Sequence, residues 1–530
     1  MSDLHTAGHR RGVVAAPHRA AVEAGRVVLA EGGNALEATV AMAATIAAVY
    51  PHMAQLGGDG VWLMREPSGH LRALIAAGRA GTNARRELYR QHETIPSRGA
   101  LAALTAPGAI AGWMLALDAA KAYGGRMGLG DLLAPAIAQA KAGATVTKSQ
   151  ARFTSDKLSE LAHVPGFAQV FLFDGKPPDA GATLKQTALA ATLEHLAHAG
   201  LDDFYRGDVG REIAGDLDRI GSPLTRSDLQ RCRATLAEPL SVALDDGTVF
   251  NTPPPTQGLA SLLILALFAR LRVPQGEGFD HVHGLVEATK RAFAARDRVI
   301  TDPDRLPQPI DRYLAAPFLD REVLAIDRRK AAPWRPSAGA GGTVWIGAAD
   351  ASGLVVSYLQ SLYWEFGSGV VLPRTGVLMQ NRGASFSLDA GALNALEPGR
   401  LPFHTLNPAL AVLADGRVIA YGTMGGDGQP QTQAAVFTRQ VRYGMPLARA
   451  IEAPRWLLGR TSGSAHGKLR MESRFADVLI ERLGAAGHDV EVLPEGYSDL
   501  MGHAGAVVCH PDGTFEAGHD PRADGGAAGA

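Results

Sequence analysis

The tripeptide Gly341-Gly342-Thr343 holds the residue types that could do unusual chemistry in this sequence. A threonine hydroxyl is a weak nucleophile until a base takes its proton. One such base is the threonine's own α-amino group, which exists only if the preceding peptide bond is broken. That amine titrates at about 7.7–8.0, well matched to neutral pH. Gly342 suits the break, because a residue without Cβ tolerates the strained turn that an attacked peptide bond requires. Alone, Gly-Gly-Thr is a common tripeptide, and an ordinary turn is the competing reading. Other nucleophile, metal and nucleotide signatures are missing: there is no G-x-S-x-G, no H-E-x-x-H and no G-x-x-x-x-G-K-[ST]. His281 and His283 lie two apart, so on a helix they do not share a face, and a packing or surface role is expected rather than a metal pair. The glycine-dense run from Gly422 to Gly428 is weak evidence for phosphate binding. No zinc-type ligand spacing occurs, and no metal is expected. Cys232 and Cys509 exclude a disulfide framework and read as inert thiols, with a single bridge as the alternative.

The elements that must position Thr343 change character at the tripeptide. Before it, Ala- and Leu-rich segments at helical spacing predict helices over 13–31, 35–50, 115–123 and 132–142, with a break at Gly32, Gly33 and Asn34. A glycine-rich loop at 55–60 leads into a strand at 61–65. Residues 249–269 read as a strand, a turn at Pro253-Pro254-Pro255 and a helix from Gly258. A helix over 281–296 lets Glu287 meet Lys290 and Arg291. The stretch 327–342, with its prolines, basic residues and small residues, is neither helix nor strand and reads as a connector. Beyond it the pattern turns to β: 343–349 and 354–362 form a hairpin signal across Asp350-Ala-Ser-Gly353, and 376–380, 409–413 and 418–421 are further strands. Helices over 431–443 and 447–452 follow. Sheets covered by helices are the expected architecture.

The chain has 530 residues, long enough for about three or four domains on length alone. With 52 basic and 53 acidic residues, the formal net charge is −1, which gives no electrostatic reason to expect nucleic acid or an anionic membrane as partner. The apolar run 38–50 is shorter than a membrane span, and residues 1–11 carry no apolar signal core, so a cytoplasmic protein is expected.

Around Thr343, a series of segments resembles the γ-glutamyltransferase family of N-terminal nucleophile hydrolases over nearly the whole chain. In order they are Glu31-Gly-Gly-Asn-Ala-Leu-Glu-Ala38, Pro51-His52 through Gly57-Gly-Asp-Gly60, Pro107-Gly-Ala-Ile-Ala-Gly112, Pro253-Pro-Pro-Thr-Gln-Gly258, Glu287-Ala-Thr-Lys-Arg-Ala-Phe-Ala294, Thr343 to Asp350, Phe366-Gly-Ser368, Pro398-Gly-Arg400, Asn407-Pro408, Gly425-Gly426 and Asp520-Pro-Arg-Ala-Asp-Gly525. The resemblance implies an α+β, four-layer αββα sandwich made of two interleaved pieces, 1–342 and 343–530. It implies no cofactor and self-cleavage at Gly342–Thr343, so that the precursor becomes a heterodimer of its own fragments, with a dimer of these as a further option. Thr343 would be both cleavage residue and nucleophile. The N–H groups of Gly425 and Gly426 match the family's oxyanion hole.

The substrate-binding pattern departs from the family. Members that bind a γ-glutamyl group use an arginine for its α-carboxylate, and Gly78-Arg79 stands in the corresponding region. Where the family carries acidic residues facing the α-ammonium, this chain reads Gln380-Asn-Arg-Gly-Ala-Ser-Phe386, so that Arg382 and Ser385 take those positions. The family's Ser-Ser pair becomes His404-Thr405, and its Thr-x-Asn becomes Gln360-Ser361-Leu362. An arginine in place of an acid disfavours an ammonium and welcomes an anion; the alternative is that Arg382 pairs with a protein carboxylate. This variant pattern looks like a γ-glutamyltransferase-like subgroup that includes oxamate amidohydrolases. The expected activity is hydrolysis of a small amide bearing a carboxylate, with oxamate the leading candidate. A γ-glutamyltransferase or glutathione hydrolase is the alternative, and an unprocessed ligand-binding chain a third reading.

Overall fold

The computed structural model describes residues 4–334, 342–459 and 467–530. Gly341 and the connector residues 335–340 lie outside them. Two seven-stranded sheets organise the chain, and every pairing within them is antiparallel. The first runs Gly526–Gly529, Gly12–Ala16, Gly342–Asp350, Val355–Tyr363, Asp59–Arg65, Leu71–Ala76, Thr235–Ala237. The second runs His5–His9, Phe515–His519, Ala504–Cys509, Val418–Thr423, Ala409–Leu413, Gly247–Asn251, Leu240–Leu244. Each sheet contains strands from both sides of Thr343. The Gly342–Tyr363 hairpin is central to the first, and all its strand residues are buried. That explains its near-continuous apolar run.

Three apolar clusters account for the packing. One joins the Arg19–Ala30 and Ala35–Val49 helices to the first sheet through residues such as Met42, Ile46, Val356 and Tyr358. A second lies between facing residues of the two sheets, among them Val61, Trp345, Leu359, Leu410 and Val507. A third joins the Gly258–Leu271 and Phe279–Val299 helices to the second sheet. At full burial each Leu, Ile or Phe contributes about 1.5–3 kcal/mol.

The helix break at Gly32-Gly33-Asn34 is realised as a capping box, in which Asn34 accepts from the Leu36 and Glu37 N–H groups and Glu37 returns the bond. Three expectations need correction. The helix expected over 13–31 is a strand, Gly12–Ala16, followed by a helix that starts at Arg19. Pro17 disfavours helical backbone at Ala16, and His18 caps the helix. Residues 376–380 make only single bridges, Val371 to Leu378 and Gly57 to Met379, and form no strand. The helix placed at 431–443 begins earlier, at Gly428, and ends at Phe437 in a wider π turn. Glu287 meets Lys290 at 2.7 Å, but Arg291 turns instead to Glu322. Both cysteines are free thiols.

Candidate active site

Gly342 and Thr343 open a central strand, and the pairing slips there. Gly342 faces Tyr363 and Val344 faces Gln360, so Ser361 and Leu362 together oppose Thr343. Two residues against one is a bulge, a device that re-aims side chains beside functional sites. Its effect is to bring the Ser361 hydroxyl onto the Gly342–Thr343 junction. Thr343 Oγ1 donates to Ser361 Oγ at 3.1 Å, the Tyr363 N–H donates to the same oxygen at 2.8 Å, and Ser361 Oγ in turn donates to the Gly342 carbonyl. The hydroxyl's one proton and two lone pairs are thereby all used. Thr343 is 1% exposed. Gln360, on the opposite face of the strand, accepts from Trp113 Nε1 and Tyr358 OH and is not brought to Thr343, contrary to expectation.

Arg382, in a short helical turn after Gln380-Asn381, is fully buried. Its Nη1 donates to Thr405 Oγ1 at 3.2 Å, and its guanidinium carbon lies 3.8 Å from the centre of the Tyr363 ring. Among the described residues no carboxylate forms an ion pair with it, and its Nε and Nη2 have no hydrogen-bond acceptor. Burial lowers its pKa to about 10, with Tyr363 and Asp59 opposing the shift, so it stays charged at neutral pH. The nearby acid is already engaged. Asp59 Oδ1 accepts from the Gly78 and Gly108 N–H groups and from Gln380 Nε2, and its Oδ2 accepts from His404 Nε2 at 3.1 Å. Gly78 is required for this arrangement, since a Cβ there would fall 1.4 Å from the Ala106 carbonyl. His404 Nδ1 accepts the Leu406 N–H, which leaves Nε2 as the protonated nitrogen facing Asp59. Burial, reinforced by Arg382, lowers the His404 pKa to about 4, so the imidazole is neutral.

Ser385 donates to the Phe403 carbonyl at 3.0 Å and so braces the segment that carries His404 and Thr405. Arg79 departs from its expected role. Its guanidinium is half exposed and is held by Asp302, Asp304 and the Gly399 carbonyl at 3.0–3.3 Å. Two carboxylates already satisfy it, so Arg382 remains as the buried cation open to an anion.

Gly425 and Gly426 adopt φ of +121° and +53°, backbone that glycine favours, and the turn feeds the Gly428–Phe437 helix. Among the described residues neither N–H meets an internal acceptor. Gln257 ties this turn to the segment that carries His404 and Thr405: its Nε2 donates to both the Gly426 and Thr405 carbonyls, at 2.8 and 2.7 Å. Arg296, paired with Asp427, donates to Gln257 Oε1 at 2.8 Å. A continuous path of contacts therefore runs from Gly426 through Gln257, Thr405, Arg382, Tyr363 and Ser361 to Thr343. Sequence reasoning assigned no role to Asp59, Gln257 or Tyr363. The first two lie in the quoted segments Gly57-Gly-Asp-Gly60 and Pro253–Gly258, which was the available signal; Tyr363 carried none.

One group among the described residues converges as metal ligands would: His283, Glu287 and His488. Its donors are already spent. His283 Nδ1 bonds His488 Nε2, and Glu287 accepts from Lys290 and from the Ala332 N–H. An ammonium 2.7 Å from the carboxylate occupies the place a cation would take.

Residues 21–530 match the family model described as gamma-glutamyltranspeptidase. The oxamate amidohydrolase proenzyme of Klebsiella pneumoniae is 51% identical over 519 residues, covering 98% of each chain. A glutathione hydrolase-like proenzyme of Bacillus subtilis is 40% identical, again over 98% of each. Among solved structures, a cephalosporin acylase from Bacillus halodurans superposes with a TM-score of 0.90 at 30% identity, over 99% of this chain and 97% of that one.

Proposed function

The chain belongs to the gamma-glutamyltranspeptidase family, and we propose that it is a self-processing N-terminal-threonine amidohydrolase acting on a small carboxylate-bearing amide, with oxamate the leading candidate. The observation that carries the substrate class is Arg382: a fully buried cation, without a carboxylate partner among the described residues, linked through Tyr363 and Ser361 to Thr343. Uncompensated buried charge is costly, and an anionic ligand offsets that cost. An ammonium in the same place would meet a like charge, at about 4 kcal/mol for roughly 4 Å and an effective dielectric of about 20. That consideration disfavours γ-glutamyl substrates.

The chemistry proceeds in two stages. In the uncut chain the Thr343 hydroxyl attacks the Gly342 carbonyl carbon while Ser361 polarises the carbonyl oxygen. The Gly342–Thr343 C–N bond breaks, its nitrogen takes the proton and becomes the free Thr343 amine, and water then hydrolyses the resulting ester to release the Gly342 carboxylate and the Thr343 hydroxyl. In the mature enzyme that amine takes the hydroxyl proton as Thr343 attacks the amide carbon of oxamate. Gly425 and Gly426 N–H groups meet the oxyanion, ammonia leaves with the proton, and water releases oxalate from the threonine ester. We read the product as a heterodimer of 1–342 and 343–530 in a four-layer αββα sandwich. The three apolar clusters and the mixing of strands from both pieces in each sheet support this reading. No helix of the described residues is long and apolar enough to cross a membrane, which accords with a cytoplasmic location.

Mass spectrometry of the purified protein should find two fragments, the second beginning at Thr343, and Thr343→Ala should remain whole and inactive. The mature enzyme should release ammonia from oxamate with a kcat/KM well above that for a γ-glutamyl anilide. An uncut, active wild-type chain, or a preference for the anilide, would overturn the assignment.

A further inference from the structure

Among the described residues, Tyr363 is one of five non-glycine residues with positive φ, at +81°, and it sits at the end of the hairpin strand opposite Gly342. Such a conformation costs a non-glycine residue on the order of 1–3 kcal/mol and persists where the surroundings over-determine it. The backbone has a clear use for it: the Tyr363 N–H reaches Ser361 Oγ, which serves the cut junction. A glycine would meet that need without strain, so the backbone alone does not account for a tyrosine. The ring does. It is buried, at 3% exposed, and lies flat enough on Arg382 to place the guanidinium carbon 3.8 Å from its centroid.

The remaining surroundings of Arg382 define how an anion must enter. Tyr363 covers one face of the guanidinium, and Thr405 takes Nη1. Nε and Nη2, left without acceptors among the described residues, form an edge that presents two parallel N–H groups in a plane, the geometry that holds a carboxylate in bidentate fashion. The floor of that edge is the tyrosine ring. Because Tyr363 is the cross-strand partner of Gly342, with Cα atoms of such pairs about 4.5–5.5 Å apart, the floor is anchored one residue from the nucleophile.

We propose that Tyr363 is a specificity-determining residue, whose ring fixes the carboxylate edge of Arg382 so close to Thr343 that only amides with the carboxylate on or next to the carbonyl carbon react efficiently. The inference rests on the amidohydrolase reading and adds to it a limit on substrate length. Planar oxamate, with no carbon between the two groups, fits that floor; malonamate and succinamate insert one and two methylenes.

The test compares ammonia release from these three amides by the mature wild-type enzyme and by Tyr363→Phe, Tyr363→Gly and Tyr363→Asn, with cleavage checked by mass spectrometry. Glycine and asparagine both tolerate positive φ, so either retains the N–H on Ser361 without the ring. The wild type should favour oxamate over succinamate. Tyr363→Phe, which keeps the ring, should retain that preference. The Gly and Asn variants should still cut, raise KM for oxamate at least about tenfold with a smaller change in kcat, and lower the oxamate-to-succinamate ratio by a similar factor. Cut Gly and Asn variants whose ratio stays within about twofold of wild type would overturn the proposal, as would a wild type that prefers succinamate or ring-free variants that all fail to cut. Absence of ammonia from all three amides with cut wild type would instead remove the amidohydrolase reading, and the length limit with it.

Discussion

Two sets of buried arginines, both within 343–530, differ in whether the protein itself supplies the counter-charge. Arg522 and Arg455 sit in a closed cluster. Arg522 meets Glu472 through Nε and Nη2 and Asp520 through Nη1, and Arg455 Nη2 lies 2.6 Å from Asp520 Oδ2. Both acids are fully buried. Burial pushes the Asp520 carboxyl up, but Arg455 and Arg522 outweigh it and hold the group well below the usual carboxylate range. Arg382 is equally buried, yet its neighbours are a hydroxyl and an aromatic face, and the one nearby acid, Asp59, is saturated by other donors. Burial alone does not mark function; the lesson lies in whether the counter-charge is supplied by the protein.

The contrast can be broken from either side. The largest effect is expected in the closed cluster. Asp520→Asn leaves Arg455 and Arg522 short of a carboxylate and should cost about 3–5 kcal/mol, read as a lowered urea midpoint of the full chain. Stability within about 1 kcal/mol of wild type would mean that this cluster, too, tolerates open charge. Arg382→Met should do the reverse. Removing a desolvated cation that has no counter-ion among the described residues should leave the urea midpoint unchanged or higher, while KM for oxamate rises about 100-fold, near 2.7 kcal/mol of binding. A strongly destabilised Arg382→Met would instead make the residue structural.

A finer change is Thr405→Val, which deletes the single hydroxyl that holds Arg382 Nη1. Hydrogen bonds to charged groups contribute about 1.5–3 kcal/mol, so KM should rise about tenfold or more, with fragment formation unaffected as seen by mass spectrometry. An unchanged KM would show that the Tyr363 ring alone orients the guanidinium. The smallest effect is in pH dependence. His404 titrates at about 4 in the folded chain against about 6.5 unfolded, so between those values only the unfolded chain takes up the proton, and stability falls as pH drops from 6.5 to 4. Asp520, depressed when folded, contributes stability that is present above its ordinary pKa near 4 and lost as pH falls below it. Urea midpoints measured against pH should therefore lose part of their slope between 6.5 and 4 in His404→Gln, and below 4 in Asp520→Asn. His52, His281, His488 and His519, also buried and lowered to about 3, share the upper window, so His404 removes only a fraction.

Much of this molecule was legible before any coordinates. Fully buried elements announce themselves by composition: the apolar hairpin strands 343–349 and 354–362 and the helix at 35–50 fall close to their observed bounds. Local chemistry also reads well, as in the capped break at Asn34 and the helix that follows Pro253-Pro254-Pro255. The errors lie where local and distant forces compete. The run 12–16 is apolar enough for helix or strand, and Pro17 together with the central sheet decided for strand. Residues 376–380 have strand composition but no neighbouring edge to pair along.

At the site the same division holds, for the same reason. Which residue types could react, and that Arg382 stands where the family resemblance expects an acid, are read from residue type and order, and for these the sequence was enough. Whether a side chain is open to a ligand depends on every group that competes for its hydrogen bonds, and those partners come from segments hundreds of residues apart. Only the tertiary structure could turn Gln360 away from Thr343, bind Arg79 to Asp302 and Asp304, and lay Tyr363 over Arg382. It likewise joined Asp59 to His404, and Gln257 to the turn at Gly426, residues that lie on opposite sides of Thr343 in the sequence.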